Sequence, residues 1–276
     1  VVLPTRNVVL AGGLSPRLPD GIEESVRQFH NHRLLDHLDE LPEPRHERFV
    51  VVGAGQSAAE VTEYLHERFG AAEVHGVFAR YGYSPADDSP FANRVFDPAA
   101  VDDFYSAEPD VRRQLLTYHR STNYSCVDLS LIESLYRREY SERVSGDRRL
   151  FMHGASRMRT VREDASGVRV EVVHKPTGRE TTLDCDAVVY ATGFDPMPLG
   201  SILADVCDPR HLAEAPQVTR DYRLQVPEGL PGNIYLQGGT EHTHGLTSSL
   251  LSNIAVRSAE ILQSITESLV PAGGRG

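Results

Sequence analysis

The stretch RFVVVGAGQSAAEV at residues 48–61 limits the possible folds more than any other part of the chain. Residues 48–53 form a short, nearly continuous apolar run, which suits a strand buried on both faces of a parallel sheet. Two glycines follow, and Ala58, Val61, Leu65 and Phe69 then recur at the spacing of one helix face over residues 57–69. Gly53 permits a tight turn, Gly55 lets another group approach the backbone, and Ala58 allows close helix–strand packing. Ser57 and Glu60 have the spacing of a capping box, which predicts that Ser57 starts the helix. The run AEVHGVFAR at 72–80 then completes a strand–helix–strand unit with parallel strands.

A G-x-G-x-x-A turn between a strand and a helix places backbone amides and the positive end of a helix where a pyrophosphate can sit. The motif therefore points to a dinucleotide. In the NAD form of such units the second strand ends in a carboxylate that binds the ribose hydroxyls. Here it ends in Arg80, with no carboxylate before Asp87. A guanidinium pairs with the 2′-phosphate of NADPH, which an acid would repel, so NADPH is the expected nucleotide. The alternative is an ordinary solvated arginine at a strand end.

Around this unit the pattern varies. Arg6 to Gly13 reads as a short buried strand ending in AGG, followed by the proline-rich crossing SPRLPDGI and a polar, histidine-bearing stretch to Pro44. Residues 84–150 are helical and charged, with Val127, Leu131, Leu135 and Tyr140 spaced for one buried face. From Met158 to Tyr190 the segments RMRTVRED, GVRVEVVH and RETTLD alternate around turns at Ser166-Gly167 and KPTG, as a β-meander does. DAVVYATGFDP adds a buried strand, and a proline-rich crossing to Pro231 leads to the strand NIYLQGG. A last helix follows, with Leu250, Ile254, Ile261, Ile265 and Leu269 on one face, and a loose tail PAGGRG.

The net charge of -11 argues against nucleic acid or an anionic membrane as partner and favours a small molecule. Cys126, Cys185 and Cys207 share no metal-like spacing and make no disulfide framework, so a reducing, cytoplasmic setting is expected. No signal peptide or membrane-spanning run is present in the sequence. His242 and His244 lack further spaced ligands, so no metal site is expected. Asp87-Asp88 reads as a solvated loop before Pro90, and Ser57 lacks the G-x-S-x-G elbow of a hydrolase nucleophile.

Four stretches, GAGQSAAE (53–60), DDSPFANRVFDP (87–98), TNYSCVD (122–128) and THGLTSSLLSNIAVRSAEI (243–261), carry a more specific signal. In this order the chain resembles the N-hydroxylating flavin monooxygenases of siderophore biosynthesis, the L-ornithine N5- and L-lysine N6-monooxygenases. The strand ends AGG and ATGF, at 11–13 and 191–194, fit the crossings between the FAD and NADPH domains of such flavoproteins. The resemblance implies an α/β fold in which a Rossmann-like NADPH-binding domain (45–83 and 151–190) is inserted in a Rossmann-like FAD-binding domain (1–44 and 191–276). Residues 84–150 would form a helical substrate-binding insertion.

It also implies roles. Gly53, Gly55, Gln56, Ser57 and Arg80 fall where the family holds NADPH, and Thr192, Gly193, Leu246 and Thr247 where it holds cofactor near the flavin. Asn93, Asn123 and Ser248 fall at the amino-acid substrate, where an amide can donate to a carboxylate and accept from an ammonium without adding charge. Without the resemblance, each asparagine reads as a cap or turn residue. The implied chemistry belongs to the cofactors: NADPH reduces FAD, O2 forms a C4a-hydroperoxide, and one oxygen passes to the side-chain amine of L-ornithine or L-lysine. Ornithine is favoured by Asn93 and Asn123. No catalytic side chain is expected, and the family is often oligomeric.

The chain departs from the family in having no G-x-G-x-x-G turn upstream of Gly53. The FAD segment is thus expected to be missing, with residues 1–20 as the strand returning to that domain. The expected consequence is a chain that binds FAD poorly and is inactive alone. A non-catalytic NADPH-binding remnant or flavoprotein partner is the alternative. A Baeyer–Villiger type monooxygenase is excluded, because its signature ends in Trp and the chain has no Trp.

Overall fold

The computed structural model describes residues 3–41, 47–205, 212, 215–226 and 232–269. Cys207, Pro231 and the PAGGRG tail lie outside the described residues. In chain order the elements are β1 (Asn7–Leu10), β2 (Leu14–Pro16), β3 (Gln28–His30), α1 (Leu34–Glu40), β4 (Arg48–Val52), α2 (Gln56–Arg68) and β5 (Glu73–Val77). There follow α3 (Ala100–Ser106), α4 (Pro109–Tyr118), α5 (Leu129–Ser145), β6 (Leu150–His153), β7 (Ser156–Asp164), β8 (Gly167–His174), β9 (Glu180–Cys185) and β10 (Ala187–Tyr190). The last are β11 (Phe194–Pro196), α6 (Gly200–Leu203), β12 (Asn233–Leu236), α7 (Glu241–His244) and α8 (Ile254–Leu269).

The chain divides into two compact units: a central one, Pro16–Asp87 with Ser121–Phe194, and a terminal one, Val1–Ser15 with Asp88–Arg120 and Asp195–Gly276. These boundaries differ from the expected division. Residues 16–41 join the central unit because β3 pairs with β10, Val188 opposite Gln28, and the helical stretch 84–150 is shared between the units.

In the central unit β3, β10, β4, β5 and β6 form one parallel sheet in that order. The apolar run of β4 is explained by cover on both faces. Phe49 and Val51 pack with Ala58 and Leu65 of α2 and Leu135 of α5, while Val50 packs with Val170 and Val172 of the β7–β8–β9 meander. The meander is antiparallel, as its alternating sequence and turns predict. Val127, Leu131 and Leu135 are buried, but Tyr140 is 53% exposed, because the buried stripe of α5 passes it by. The helix stops at Gly146, whose left-handed φ of 87° is the usual terminating conformation.

The terminal unit has a two-stranded parallel sheet, β1 with β12, in the register Asn7 opposite Asn233. β1 is not the buried strand expected: Val8 and Val9 are 38% and 44% exposed, since β12 is its one strand partner among the described residues. Leu203, Leu212, Val218, Leu224, Ile234 and Leu236 form the core. The face of α8 read in the sequence holds in part: Ile261 is buried and Ile265 packs beside it, whereas Ile254 and Leu269 are exposed and Arg257 is buried instead. Among the described residues no helix is long and apolar enough to cross a membrane.

Candidate nucleotide and substrate sites

In the central unit, α2 begins one turn beyond β4 with Gly55 as its N-cap, and no side chain caps its first amides. Ser57 is the second residue of the helix, so the capping box does not form. The glycine turn keeps the helix close to the sheet for a steric reason: a Cβ on Gly53 would sit 2.3 Å from the Ala191 carbonyl oxygen and 3.1 Å from the Ala58 Cβ. Its φ of 152° adds a backbone penalty for any side chain. Gly53 N–H donates to Val77 O at 3.1 Å, linking the ends of β4 and β5. These strand ends, with that of β10, form the carboxyl edge of a parallel sheet, the usual ligand side of such folds.

Gln56 lies at this edge with its amide engaged. Its Oε1 accepts from Asp128 N–H at 2.8 Å, and its Nε2 donates to Asp128 Oδ2 at 3.0 Å and Glu60 Oε1 at 2.9 Å. Ser57 faces a groove of about 520 Å³ shared with residues that include Asn31, His32 and Arg33. Arg80 follows β5 and is exposed; its Nη1 donates to Ser125 O at 2.9 Å. Ser125 has a left-handed φ of 56° and lies against Gly55, where an added Cβ would stand 3.5 Å from the Ser125 Cα. The segment TNYSCVD, with Asn123 half-buried, therefore rests on the glycine turn. Burial pushes the nearby Cys126 thiol up, and the half-buried Tyr83, with its hydroxyl enclosed, is pushed up to about 12 for the same reason.

Thr192 and Gly193 close β10. The Thr192 hydroxyl donates to Arg17 O, and Arg17 Nε and Nη2 donate to Thr192 O at 3.1 and 2.8 Å. Gly193 O accepts from His30 Nε2 at 2.8 Å, and burial holds the pKa of His30 below its ordinary value.

In the terminal unit, Leu246, Thr247 and Ser248 form a 3₁₀ turn after Gly245, and all three are buried. Thr247 Oγ1 donates to His244 O at 3.2 Å, and Ser248 Oγ lies 3.0 Å from Thr240 Oγ1, so both side chains are bonded within the unit. Arg257 Nη1 donates to the carbonyls of Thr247 and Ser248 at 3.3 and 3.0 Å from an almost fully buried position. Burial lowers its pKa. Asn93 is exposed on a separate 3₁₀ turn, its Nδ2 donating to Asp88 O at 3.0 Å. Asn93 and Asn123 thus belong to different units. His244 is buried between Thr243 Oγ1 (2.7 Å) and Arg220 O (3.1 Å), with His242 on Pro216 O (2.7 Å), so both rings serve structural bonds. Burial pushes His244 down to about 4. Among the described residues no cluster of three or more His, Cys, Asp or Glu could hold a metal.

Asp128, Ser125, Arg17 and Arg257 were missed in the sequence. Asp128 had a usable signal, as an acid just before a helical run. Arg17 in its proline-rich crossing and Arg257 in a polar-looking helix position had none.

Comparison with known proteins follows the same lines. The profile of the L-lysine 6-monooxygenase/L-ornithine 5-monooxygenase family matches residues 2–196. The L-ornithine N(5)-monooxygenase of Pseudomonas aeruginosa is 33% identical over 98% of this chain and 62% of its own length. The ornithine N-hydroxylase of Kutzneria sp. 744, whose structure is described with reduced FAD, NADP+ and L-ornithine, superposes with a TM-score of 0.87 at 43% identity, covering 96% of this chain and 64% of that one. The L-lysine 6-monooxygenase of Pseudomonas syringae gives 0.79 at 32% identity, with 96% and 64% coverage. The chain spans about 60% of the length of the curated relatives it matches. With a family profile covering most of its length and these structures sharing its parallel sheet, the chain belongs to the L-lysine 6-monooxygenase/L-ornithine 5-monooxygenase family.

Proposed function

We propose that this chain carries the nucleotide-binding unit of an FAD- and NADPH-dependent enzyme that N-hydroxylates the side-chain amine of L-ornithine in siderophore biosynthesis. L-lysine, one methylene longer, is the alternative substrate, and a pocket separates the two by only about 1–3 kcal/mol. The observation that carries the reading is the uncapped start of α2 behind a glycine turn that admits no side chain, with Arg80 beyond the next parallel strand. These features fit NADPH. The first amides of α2 would hold the pyrophosphate, and Arg80, with one N–H on Ser125 O, keeps a fork of donors for the 2′-phosphate.

The flavin belongs, in this reading, with the terminal unit. As they stand, Leu246, Thr247 and Ser248 offer it no open polar side chain, so their contact would be through backbone. Bound NADPH supplies the hydride and bound flavin the oxygen-activating chemistry. The chain's own residues bind and orient. Asn93 Oδ1 is suited to accept from an ammonium.

Calorimetric titration with NADP+ and NAD+ tests the core of this reading. NADP+ is expected to bind at least about tenfold more tightly, as one charge-assisted pair warrants. Equal affinities, or none, would reject it. Hydroxylamine formation from each amino acid, assayed with FAD and NADPH, tests the substrate.

A further inference from the structure

We infer that Arg80 is a positioning residue that couples nucleotide occupancy to the order of the 121–128 segment. This rests on the NADPH reading of the central unit and goes beyond it. Three of the contacts that fasten the segment come from outside it. Arg80 Nη1 donates to Ser125 O at 2.9 Å, Asp128 exchanges two bonds with the Gln56 amide at 2.8 and 3.0 Å, and Val127 N–H donates to Ser84 O at 3.0 Å. Two of these fastenings come from residues at the nucleotide edge.

The backbone around Arg80 is closely packed, whereas its side chain is exposed. Ala155 N–H donates to Arg80 O at 2.5 Å, and a Cβ on Gly154 would stand 2.2 Å from Tyr81 O, so the turn after β6 presses directly on this loop. The guanidinium is exposed and holds Ser125 with one of its five N–H groups. An exposed arginine loses rotamer freedom when it is held in one geometry, and that loss opposes the single bond. A dianionic 2′-phosphate held in the remaining fork fixes the side chain. The bond to Ser125 O then forms without that cost, and the segment with its left-handed Ser125 is ordered. By linkage, a ligand that orders the segment tightens the nucleotide by the same factor. NAD+, which has no 2′-phosphate, provides no such anchor.

Hydrogen–deuterium exchange of the 121–128 amides in the full chain tests this, with NADP+ and NAD+ as probes at saturation judged by calorimetry. In the unsubstituted chain NADP+ is expected to slow exchange several-fold and NAD+ to leave it near the free rate. R80Q is expected to lose NADP+ affinity by about tenfold or more and, at saturating NADP+, to show no slowing. R80K, with a point charge and no fork, is expected to recover part of the affinity and little of the slowing. An unchanged melting temperature shows that these exposed substitutions leave the fold intact. Bound NADP+ without slowing in the unsubstituted chain, or equal slowing in R80Q, overturns the coupling while leaving the nucleotide reading in place. Failure of NADP+ to bind overturns that reading, and the coupling with it.

Discussion

The two units solve the same problem differently. The central unit covers a parallel sheet with apolar layers on both faces, whereas the terminal unit adds a set of buried polar groups to a smaller apolar core. In the first, Val50 and Val51 face opposite cores and each is almost fully buried. In the second, a guanidinium holds two backbone carbonyls, Thr240 meets Ser248, and Asn253 Nδ2 donates to Phe96 O at 3.1 Å, while Val8 and Val9 remain partly exposed. Changes in apolar layers cost through packing, and changes in polar groups through the partners they leave unpaired.

Substitutions can sharpen this contrast. The largest expected loss is at the central turn: Gly53→Val places a branched side chain against Ala191 O and should cost about 3 kcal/mol or more in urea unfolding, together with nucleotide binding. Leu135→Ala, at a site 1% exposed, should cost about 2–5 kcal/mol through the cavity it leaves. In the terminal unit, Arg257→Met removes the donor to Thr247 O and Ser248 O and should cost about 1–3 kcal/mol, because the cost of burying an unpaired cation is relieved as two bonds are lost. Ile254→Ala, on the exposed side of α8, should change stability by less than about 0.5 kcal/mol. Equal losses from Ile254→Ala and Leu135→Ala would break the comparison.

Acid should affect both units through histidines buried in their neutral form. His75 lies 3.0 Å from His153 and 3.4 Å from Glu73 Oε2, with Arg48 also on Glu73, and it is stacked on Phe151. Burial first, and then the neighbouring His153, push His75 down to about 4; burial first, and then Arg148, lower His153. In the unfolded chain both titrate near 6.5. The histidine contribution to stability is therefore expected to be level above that pH and to fall as pH drops toward about 4, because only the unfolded state takes up these protons there; this contribution levels off once His75 itself is protonated. Urea midpoints across this range should show the fall for the central unit, and H75Q should reduce it. His244 gives the terminal unit the same sign.

Much of the central unit could be read from the sequence because its determinants are local. An apolar run, a glycine pair and period-2 alternation each specify backbone geometry within a few residues, and β4, α2, β5 and the meander follow them. Three features could not be read this way. Gln56 and Ser125 bond across about 70 and 45 residues of chain, and no spacing records that. The buried face of α8 includes Arg257 beside Ile261, because hydropathy gives no credit to a cation that serves two carbonyls. The residues assigned to nucleotide and substrate were legible only as motifs, and their present partners were not.

The central claim is that the turn at Gly53 and the guanidinium of Arg80 together hold a phosphorylated nicotinamide nucleotide. Calorimetric comparison of NADP+ and NAD+ on the chain and on R80Q tests it most directly. A preference for NADP+ of about tenfold or more is expected, abolished in R80Q with NAD+ affinity nearly unchanged. A preference that survives R80Q, or indifference to the 2′-phosphate in the unsubstituted chain, would contradict it.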